Sequence, residues 1–191
     1  MKYILIATVL FFSVQVLAQT GLKEGMKAPE FVGIDNAGQK IDLRRILKTH
    51  KTVVLFFYRG QWCPYCNRYI GRMQDSLQLL VDKGAYVIGV TPETAANIAR
   101  TVEKTHASFS IVEDKGYRIM KSYQVNYVVD TAMLSKLNTY GVDIEKNNGN
   151  KDHVLPVPAT YVINQMGRIT FVHFDKDYTH RPSIKTLLEK I

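Results

Sequence analysis

The stretch that decides the fold is residues 52–66, which read Thr-Val-Val-Leu-Phe-Phe-Tyr-Arg-Gly-Gln-Trp-Cys-Pro-Tyr-Cys. Its apolar and aromatic run, Val53 to Tyr58, predicts a strand that is buried on both faces. A short turn follows, and a segment with helical periodicity begins at Cys63. The stretch therefore predicts a strand that delivers Cys63 and Cys66 to the N-terminus of a helix.

These two cysteines are the only ones in the 191 residues, so any intrachain disulfide must join Cys63 to Cys66. A loop this short removes little entropy from the unfolded chain, which makes a structural staple a poor explanation. Two intervening residues suit reversible thiol–disulfide chemistry at a helix N-terminus. The spacing therefore predicts a redox site.

A metal or haem site is a weaker interpretation of the same pair. Structural zinc needs four ligands, usually with a second pair at comparable spacing. The five histidines are single and dispersed, at positions 50, 106, 153, 173 and 180. Haem attachment needs a histidine directly after the second cysteine, and Asn67 stands there. We therefore expect no metal and no cofactor.

The composition is that of one soluble globular domain. Apolar residues make up 46% of the chain and charged residues 22%, both ordinary fractions. The formal net charge of +8 comes from lysines and arginines that are scattered along the chain. Scattered charge favours a solvated basic surface over a nucleic-acid groove, so we expect no nucleic acid as a partner.

The first 18 residues have the pattern of a secretory signal peptide. Lys2 precedes an apolar run, Tyr3 to Ala18, which ends in Val-Leu-Ala. Such a run is short for a membrane span, although an uncleaved anchor is the alternative. We therefore expect a mature domain of residues 19–191, secreted or periplasmic, with no stable membrane anchor after cleavage.

Alternation of strands and helices along the chain predicts an α/β fold with right-handed crossovers. The segment from Gln124 to Leu155 is less regular, and we interpret it as an insertion without an independent core. Within it, Asp130 is predicted to cap a helix. In chain order we predict a hairpin at 31–43, a strand at 53–58, a helix at 63–84, a strand at 85–90, a helix from 91, a strand at 109–112, a short helix at 116–123, a hairpin at 160–172 and a helix at 182–191.

The order of residues around the cysteines predicts their separate roles. Cys63 meets the unsatisfied N–H groups and the positive end of the helix dipole, which favour the thiolate that attacks. Arg59 adds to this effect if it points inward, and Pro64 suits the first helical turn. Cys66 lies one turn further along and would resolve a mixed disulfide. Trp62 would cover the sulfur or serve as a packing aromatic.

Four segments resemble the AhpC/TSA family of thioredoxin-fold redoxins. They are residues 25–31, 57–66, 155–164 and 173–178, and the second, with Tyr65 inside Cys-Pro-Tyr-Cys, resembles the active site of a peroxiredoxin-like branch. The resemblance covers most of the mature chain. It implies a thioredoxin-like fold, with a central mixed sheet flanked by helices and an N-terminal β-hairpin extension.

The resemblance also implies a substrate-binding segment. Thioredoxin-like proteins carry a cis-proline directly before a late core strand, facing the dithiol, and Pro158 matches that place. The backbone of Val157 would then lie beside the sulfurs and pair with an extended substrate. The alternative is that Pro156 and Pro158 are ordinary loop prolines.

Three positions depart from the family pattern. Classical peroxiredoxins have Thr or Ser three residues before the peroxidatic cysteine, where this chain has Gly60, and their peroxide-binding arginine falls roughly where Pro158 stands. The buried acid of thioredoxin corresponds to Phe57, so proton transfer to Cys66 needs another group or water. These departures favour disulfide exchange over peroxide reduction, for which Arg59 would be the replacement arginine.

Three functions follow in order of preference. The first is a thiol–disulfide oxidoreductase that serves redox homeostasis or antioxidant defence outside the cytoplasm through Cys63 and Cys66. The second is a thiol-dependent peroxidase that reduces hydroperoxides at Cys63. The third is a non-catalytic binding module, against which the intact Cys-x-x-Cys argues. The expected partners are a protein or small-molecule disulfide or hydroperoxide, and an external thiol donor or membrane reductant relay.

Overall fold

A computed structural model of the protein describes residues 21–191. The signal peptide predicted for residues 1–18 lies outside the described residues. No helix within the described part is long and apolar enough to cross a membrane. The division into a signal peptide and one domain therefore stays a prediction.

The centre of the fold is a five-stranded mixed sheet, whose strands lie in the order β5 (Ser110–Glu113), β4 (Ala85–Thr91), β3 (Thr52–Phe57), β8 (Ala159–Asn164) and β9 (Ile169–Phe174). Neighbours β3, β4 and β5 run parallel, whereas β8 is antiparallel to both β3 and β9. The strands of the described chain are β1 (Val32–Ile34), β2 (Lys40–Asp42), β3 (Thr52–Phe57), β4 (Ala85–Thr91), β5 (Ser110–Glu113), β6 (Asn126–Val128), β7 (Val154–Pro156), β8 (Ala159–Asn164) and β9 (Ile169–Phe174).

Helices cover the sheet, as the predicted thioredoxin-like α/β fold requires, and that prediction is confirmed. The helices of the described chain are α1 (Leu43–Ile46), α2 (Pro64–Asp75), α3 (Leu77–Asp82), α4 (Ala95–Thr105), α5 (Arg118–Ser122), α6 (Thr131–Thr139), α7 (Ile144–Asn148) and α8 (Ile184–Lys190).

Strand β3 separates two apolar cores, because all six of its residues are buried. Val53, Leu55 and Phe57 belong to one cluster, which includes residues of α1, α5 and the N-terminal hairpin. Val54 and Phe56 face the other cluster, which contains both cysteines and the buried side of α2. Successive side chains of a strand point to opposite faces, so the continuous apolar run predicted this double burial correctly.

The N-terminal hairpin forms as predicted, with β1 and β2 antiparallel. Its turn is held by the Asp35 carboxylate, which accepts hydrogen bonds from the backbone N–H groups of Ala37 and Gln39. Asp42 then caps α1 by accepting from the Arg45 N–H. Local polar side chains thus fix both the turn and the helix start.

Two predicted helix boundaries are wrong. The helix expected over 63–84 is broken at Ser76, which leaves helical geometry with φ −109° and ψ 10°. The hydrogen bonds from the Ser76 N–H to Arg72 and from the Leu80 N–H to Ser76 carry the chain across the break. Since buried residues on both sides face the same core, the apolar periodicity cannot reveal the kink.

The helix predicted from Thr91 begins instead at Ala95, with Thr94 as its N-cap residue. Thr91 is the last residue of β4, where it pairs with Glu113 of β5 and is fully buried. The sheet therefore holds Thr91 in an extended conformation, and Glu93 lies in the connection between strand and helix.

The predicted insertion folds as β6, α6, α7 and β7, with β6 and β7 antiparallel. Asp130 caps α6 as predicted, because its carboxylate accepts from the Met133 N–H at 2.8 Å. Contrary to expectation, the insertion has a small apolar cluster of its own, and Trp62 packs against it. The insertion therefore contacts the segment that carries the cysteines.

The chain returns to this same region after β9. Residues 175–183, here called the C-terminal strap, contain no helix or strand and connect β9 to α8. Local turns shape the strap, in which the Asp175 carboxylate accepts from the Asp177 N–H and the Asp177 carboxylate accepts from the Thr179 N–H.

Candidate active site

Cys63 is the N-cap residue of α2. Its backbone is extended, with φ −89° and ψ 107°, and its sulfur accepts the N–H of Cys66 at 3.3 Å. Pro64 follows at the first helical position, where its missing N–H leaves no bond unmade. Both cysteines are free thiols with no solvent-exposed surface. The strand-to-helix placement predicted from residues 52–66 is therefore the one observed.

The two sulfurs have opposite ionisation tendencies. The pKa of Cys63 is lowered to about 6, chiefly by a hydrogen bond from the Cys66 thiol and, against the cost of burial, by the nearby Arg59 guanidinium. Burial raises the pKa of the Cys66 thiol, and the neighbouring Cys63 raises it further. At neutral pH the pair is therefore a Cys63 thiolate beside a Cys66 thiol.

Arg59 points inward, toward the attacking sulfur. Its Nη2 lies 3.8 Å from the Cys63 sulfur, and the side chain is only 4% exposed. The guanidinium lies over the Tyr178 ring, 3.6 Å from the ring centroid, and 4.9 Å from that of Trp62. Stacking between two aromatic faces fixes the charge beside Cys63.

Arg181 occupies the matching place beside Cys66, and sequence reasoning missed it. Its Nη2 lies 3.7 Å from the Cys66 sulfur. Its Nη1 donates to the carbonyl oxygens of Tyr178 and His180, at 2.8 and 2.7 Å. Arg181 lies 115 residues from Cys66, in the irregular strap just beyond the last segment of family resemblance, so no sequence signal pointed to it.

Trp62 and Tyr65 frame the dithiol on two sides. Trp62 packs partly buried against the cluster that contains the cysteines and also against the insertion. This is the apolar packing that was one of the two alternatives for Trp62, and its covering of the sulfur stays a prediction. Tyr65 is 39% exposed and meets the Tyr178 ring edge to face, with centroids 5.8 Å apart. The two tyrosines form an aromatic rim at the start of α2.

A buried acid, Glu93, lies behind the turn that precedes Cys63. The side chain is fully buried, and its Oε2 accepts the Gln61 N–H at 2.8 Å while Oε1 has no partner. Burial raises the pKa of Glu93 to about 8. Sequence reasoning assigned this residue to a helix start, and its position two residues after a buried strand was the available signal.

The expected cis-proline is wrong, because the described residues contain no cis peptide bond. The chain passes from β7 into β8 through Val157 and Pro158, both buried, and the Val157 N–H donates to the Val125 carbonyl at 2.7 Å. That bond anchors the segment in extended form, for which the trans isomer, favoured by about 0.5–1 kcal/mol, suffices. The same bond occupies the N–H of Val157, one of the backbone groups with which a substrate was expected to pair.

Other polar groups complete the floor of the site. The Tyr69 hydroxyl lies 3.3 Å from the Thr160 hydroxyl and so links α2 to β8. Within residues 21–191, no group of three histidine, cysteine, aspartate or glutamate side chains is arranged to hold a metal ion. The reactive groups that the site brings together are two sulfurs, two guanidinium groups and one buried carboxyl.

A dithiol at a strand-to-helix junction, inside a mixed sheet of this order, defines a thioredoxin-like redox protein. A model of the AhpC/TSA family matches residues 25–172, so the chain belongs to that family, as its sequence predicted. The predicted assignment to the oxidoreductases is confirmed by the curated relatives, which are thiol–disulfide oxidoreductases and peroxiredoxins.

Two relatives represent these two activities. Thiol-disulfide oxidoreductase ResA of Halalkalibacterium halodurans is 28% identical over 164 residues, which cover 85% of this chain and 73% of ResA. Chloroplastic peroxiredoxin Q of Triticum aestivum is 28% identical over 113 residues, which cover 56% of this chain and 51% of the wheat protein.

Solved structures show the same fold. The peroxidoxin BcpB of Mycobacterium tuberculosis is similar with a TM-score of 0.64 at 18% identity, over 80% of this chain and 86% of BcpB. A thiol:disulfide interchange protein of Chlorobium tepidum is similar with a TM-score of 0.57 at 16% identity, over 89% of this chain and 95% of the other. At these identities the likeness establishes the fold alone.

Proposed function

We propose that the protein is a thiol–disulfide oxidoreductase that cycles between a Cys63/Cys66 dithiol and the corresponding disulfide. One observation carries the proposal: a buried Cys63 that is a thiolate near neutral pH lies one helical turn from a Cys66 that remains a thiol. A thiolate is needed for attack, and a second thiol in reach is needed to complete the exchange.

The reaction proceeds in two displacements. The Cys63 thiolate attacks one sulfur of a substrate disulfide, forms a mixed disulfide and releases the other sulfur as a thiolate. Cys66 then attacks the Cys63 sulfur, closes the intramolecular disulfide and releases the second substrate sulfur. The substrate gains two electrons and the dithiol loses two. An external thiol donor or a membrane reductant relay then restores the dithiol.

Peroxide reduction is the second candidate, favoured by the peroxiredoxin relatives and by the guanidinium of Arg59 near the Cys63 sulfur. The thiolate would attack a hydroperoxide, forming a sulfenic acid and an alcohol, and Cys66 would condense with it to release water. We rank this second because Gly60 and Pro158 replace two residues of the peroxiredoxin pattern. Membership of the peroxiredoxin-like branch with Cys-Pro-Tyr-Cys is part of the same proposal.

One paired assay tests the ranking. The purified protein is supplied with dithiothreitol, and its turnover of insulin disulfides is compared with its turnover of hydrogen peroxide. We expect faster disulfide turnover, and we expect Cys63→Ser to abolish both reactions. In a separate reaction without dithiothreitol, the reduced Cys66→Ser variant should stop at a mixed disulfide between Cys63 and the substrate, which mass spectrometry detects. Peroxide turnover far above disulfide turnover would reverse the ranking, and unchanged rates in Cys63→Ser would overturn the redox function.

We also propose that the protein acts outside the cytoplasm, as a secreted or periplasmic enzyme of redox homeostasis. The support is the signal-peptide pattern of residues 1–18. The intact mass of the protein isolated from its host compartment tests this proposal. Loss of residues 1–18 is the expected result, and recovery of the uncleaved chain in the cytoplasmic fraction would contradict it.

A further inference from the structure

Two guanidinium groups approach the dithiol, and each contacts a different sulfur. Arg59 lies in the turn before α2, and its Nη2 is 3.8 Å from the Cys63 sulfur. Arg181 lies in the C-terminal strap, and its Nη2 is 3.7 Å from the Cys66 sulfur. Within residues 21–191, neither guanidinium forms an ion pair with a carboxylate. Each of the two guanidinium groups thus has a cysteine sulfur, and not a carboxylate, as its acidic neighbour in the described part of the chain.

In the reduced protein this pairing is incomplete. Cys63 is the thiolate beside Arg59, but burial keeps Cys66 protonated, so Arg181 faces a neutral thiol. Arg181 is half-buried, and two carbonyl oxygens accept from its Nη1, but within the described chain no anion lies at its Nη2 in this state. The pairing is completed at one point of the reaction cycle, when Cys66 loses its proton in order to attack.

We propose that Arg181 is a catalytic residue of the resolving step, in which its Nη2 stabilises the Cys66 thiolate that attacks the mixed disulfide. This inference rests on the proposed dithiol cycle. Arg59 serves the first displacement at Cys63, and Arg181 serves the second at Cys66. Each sulfur thus has its own arginine in contact with it.

The atoms and electrons of the step balance. The proton of Cys66 passes to the substrate thiolate that was freed in the first displacement. The Cys66 sulfur then bonds to the Cys63 sulfur, the bond between Cys63 and the substrate breaks, and the second substrate sulfur departs as a thiolate. The protein ends as a disulfide, and the substrate ends as two reduced sulfurs. At that point Arg181 again faces an uncharged sulfur.

Hydrogen bonds within the strap fix the position of the Arg181 side chain. Two carbonyl oxygens of the strap itself accept from Nη1, which leaves Nη2 directed at the sulfur. The guanidinium also lies over the Tyr69 ring of α2, 5.7 Å from its centroid. Its position is thus set before Cys66 ionises, and preorganised charge is the kind that stabilises a developing anion.

The other groups that act on Cys66 do not replace Arg181. Cys63 carries the negative charge of the reduced pair and so opposes a second thiolate. Tyr58, which directly follows β3, is a buried phenol without charge. Arg59 also favours the Cys66 thiolate, through a backbone hydrogen bond and its charge, but its Nη2 lies at the Cys63 sulfur. Once Cys63 is tied up in a mixed disulfide its charge is gone, and Arg181 is the cation in contact with Cys66.

A single-turnover experiment separates the two steps. The reduced protein is mixed with excess dithiodipyridine, a neutral disulfide whose two thiopyridone products absorb light. The first equivalent reports the attack by Cys63, and the second reports resolution by Cys66. A neutral probe is chosen because removal of an arginine then leaves the charge-dependent encounter rate unchanged.

We expect Arg181→Met to slow the second phase by about tenfold or more, the rate equivalent of roughly one pKa unit of thiolate stabilisation. The first phase should stay within about twofold of wild type, and the midpoint of the pH profile of the second phase should rise. Methionine retains the apolar bulk of the arginine stem. Arg181→Lys should recover part of the rate, because it restores charge without the planar fork.

Two matched variants make the result specific. Arg59→Met should show the reverse pattern, a slow first phase, whereas Arg45→Met, an exposed arginine on α1, should change neither phase. A second phase that Arg181→Met leaves unchanged, or an equal slowing of both phases, would overturn the role of Arg181. Release of only one equivalent by the wild-type protein would instead refute the dithiol cycle itself. A normal first phase in Arg181→Met shows that the variant is folded.

Discussion

Glu93→Gln should stabilise the protein at alkaline pH and have little effect near pH 4.5. Burial raises the pKa of this carboxyl from 4.5 to about 8. Between these pH values the folded state keeps a proton that the unfolded state has lost, so the free energy of unfolding falls as the pH rises. At 1.36 kcal/mol for each pKa unit, the full penalty above pH 8 is at most about 5 kcal/mol.

Glutamine removes this penalty because it has no proton to lose. Its amide oxygen replaces Oε2 as the acceptor for the Gln61 N–H, so the local geometry is retained. We therefore expect a gain of roughly 2–5 kcal/mol at pH 8.5, with the lower value allowing for relaxation around the charge. At pH 4.5 the free energies of unfolding of wild type and Glu93→Gln should differ by less than about 0.5 kcal/mol.

Urea unfolding at a series of pH values provides the measurement. The free energy of unfolding of wild type is subtracted from that of Glu93→Gln at each pH, which cancels the contributions of titrating groups that both proteins share. Cys63 is the exception, because its charge acts on Glu93. The series is therefore repeated in a Cys63→Ala background. Glu103→Gln, an exposed acid on α4, is the matched control and should show a flat difference. A pH-independent difference for Glu93→Gln as well would refute the argument that burial outweighs the nearby charges of Lys104 and Arg100 at this carboxyl.

Two further predictions concern the same turn and its cysteine. Gly60→Ala should lower the free energy of unfolding in urea by about 1–3 kcal/mol. The added Cβ would clash with the indole nitrogen of Trp62 and lie 2.6 Å from Glu93 Oε1. Gly71→Ala, which has open space around the added Cβ, is the control and should not destabilise the protein. The rate of alkylation of Cys63 should be half-maximal near pH 6, and Cys66→Ala should raise that midpoint; a wild-type midpoint near the free value of about 8.5 would contradict the assigned ionisation.

The dithiol and the strand before it were predictable because their signals are local. A short unbroken run rich in β-branched and aromatic residues favours a doubly buried strand. Cys63 and Pro64 carry the features of a helix start within a few residues. The same holds for Asp130, whose side chain caps the helix that follows it. In each case the residues that interact are close in sequence.

The remaining parts of the site depend on contacts between distant segments. Arg181 has no local signal, since its role follows only from where the strap lies. Glu93 was misassigned because Thr91 and Pro92 have the composition of a helix start, yet pairing of Thr91 with β5 overrides that local preference. The cis-proline was carried over from a resemblance, and the anchoring of Val157 by Val125 makes that isomer unnecessary.

The mixed topology of the sheet explains how these distant segments meet at one edge. Strands β3 and β4 run parallel, so their carboxyl ends deliver Cys63 and Glu93 to the same side. Strand β8 is antiparallel to β3 and therefore starts at that edge, and its first residue, Ala159, pairs with Phe174, the last residue of β9. The chain thus leaves β9 directly beside the dithiol, which is why a residue of the strap can reach Cys66. With β9 parallel to β8, the strap would leave from the opposite edge of the sheet, and Cys66 would have no cation at its sulfur.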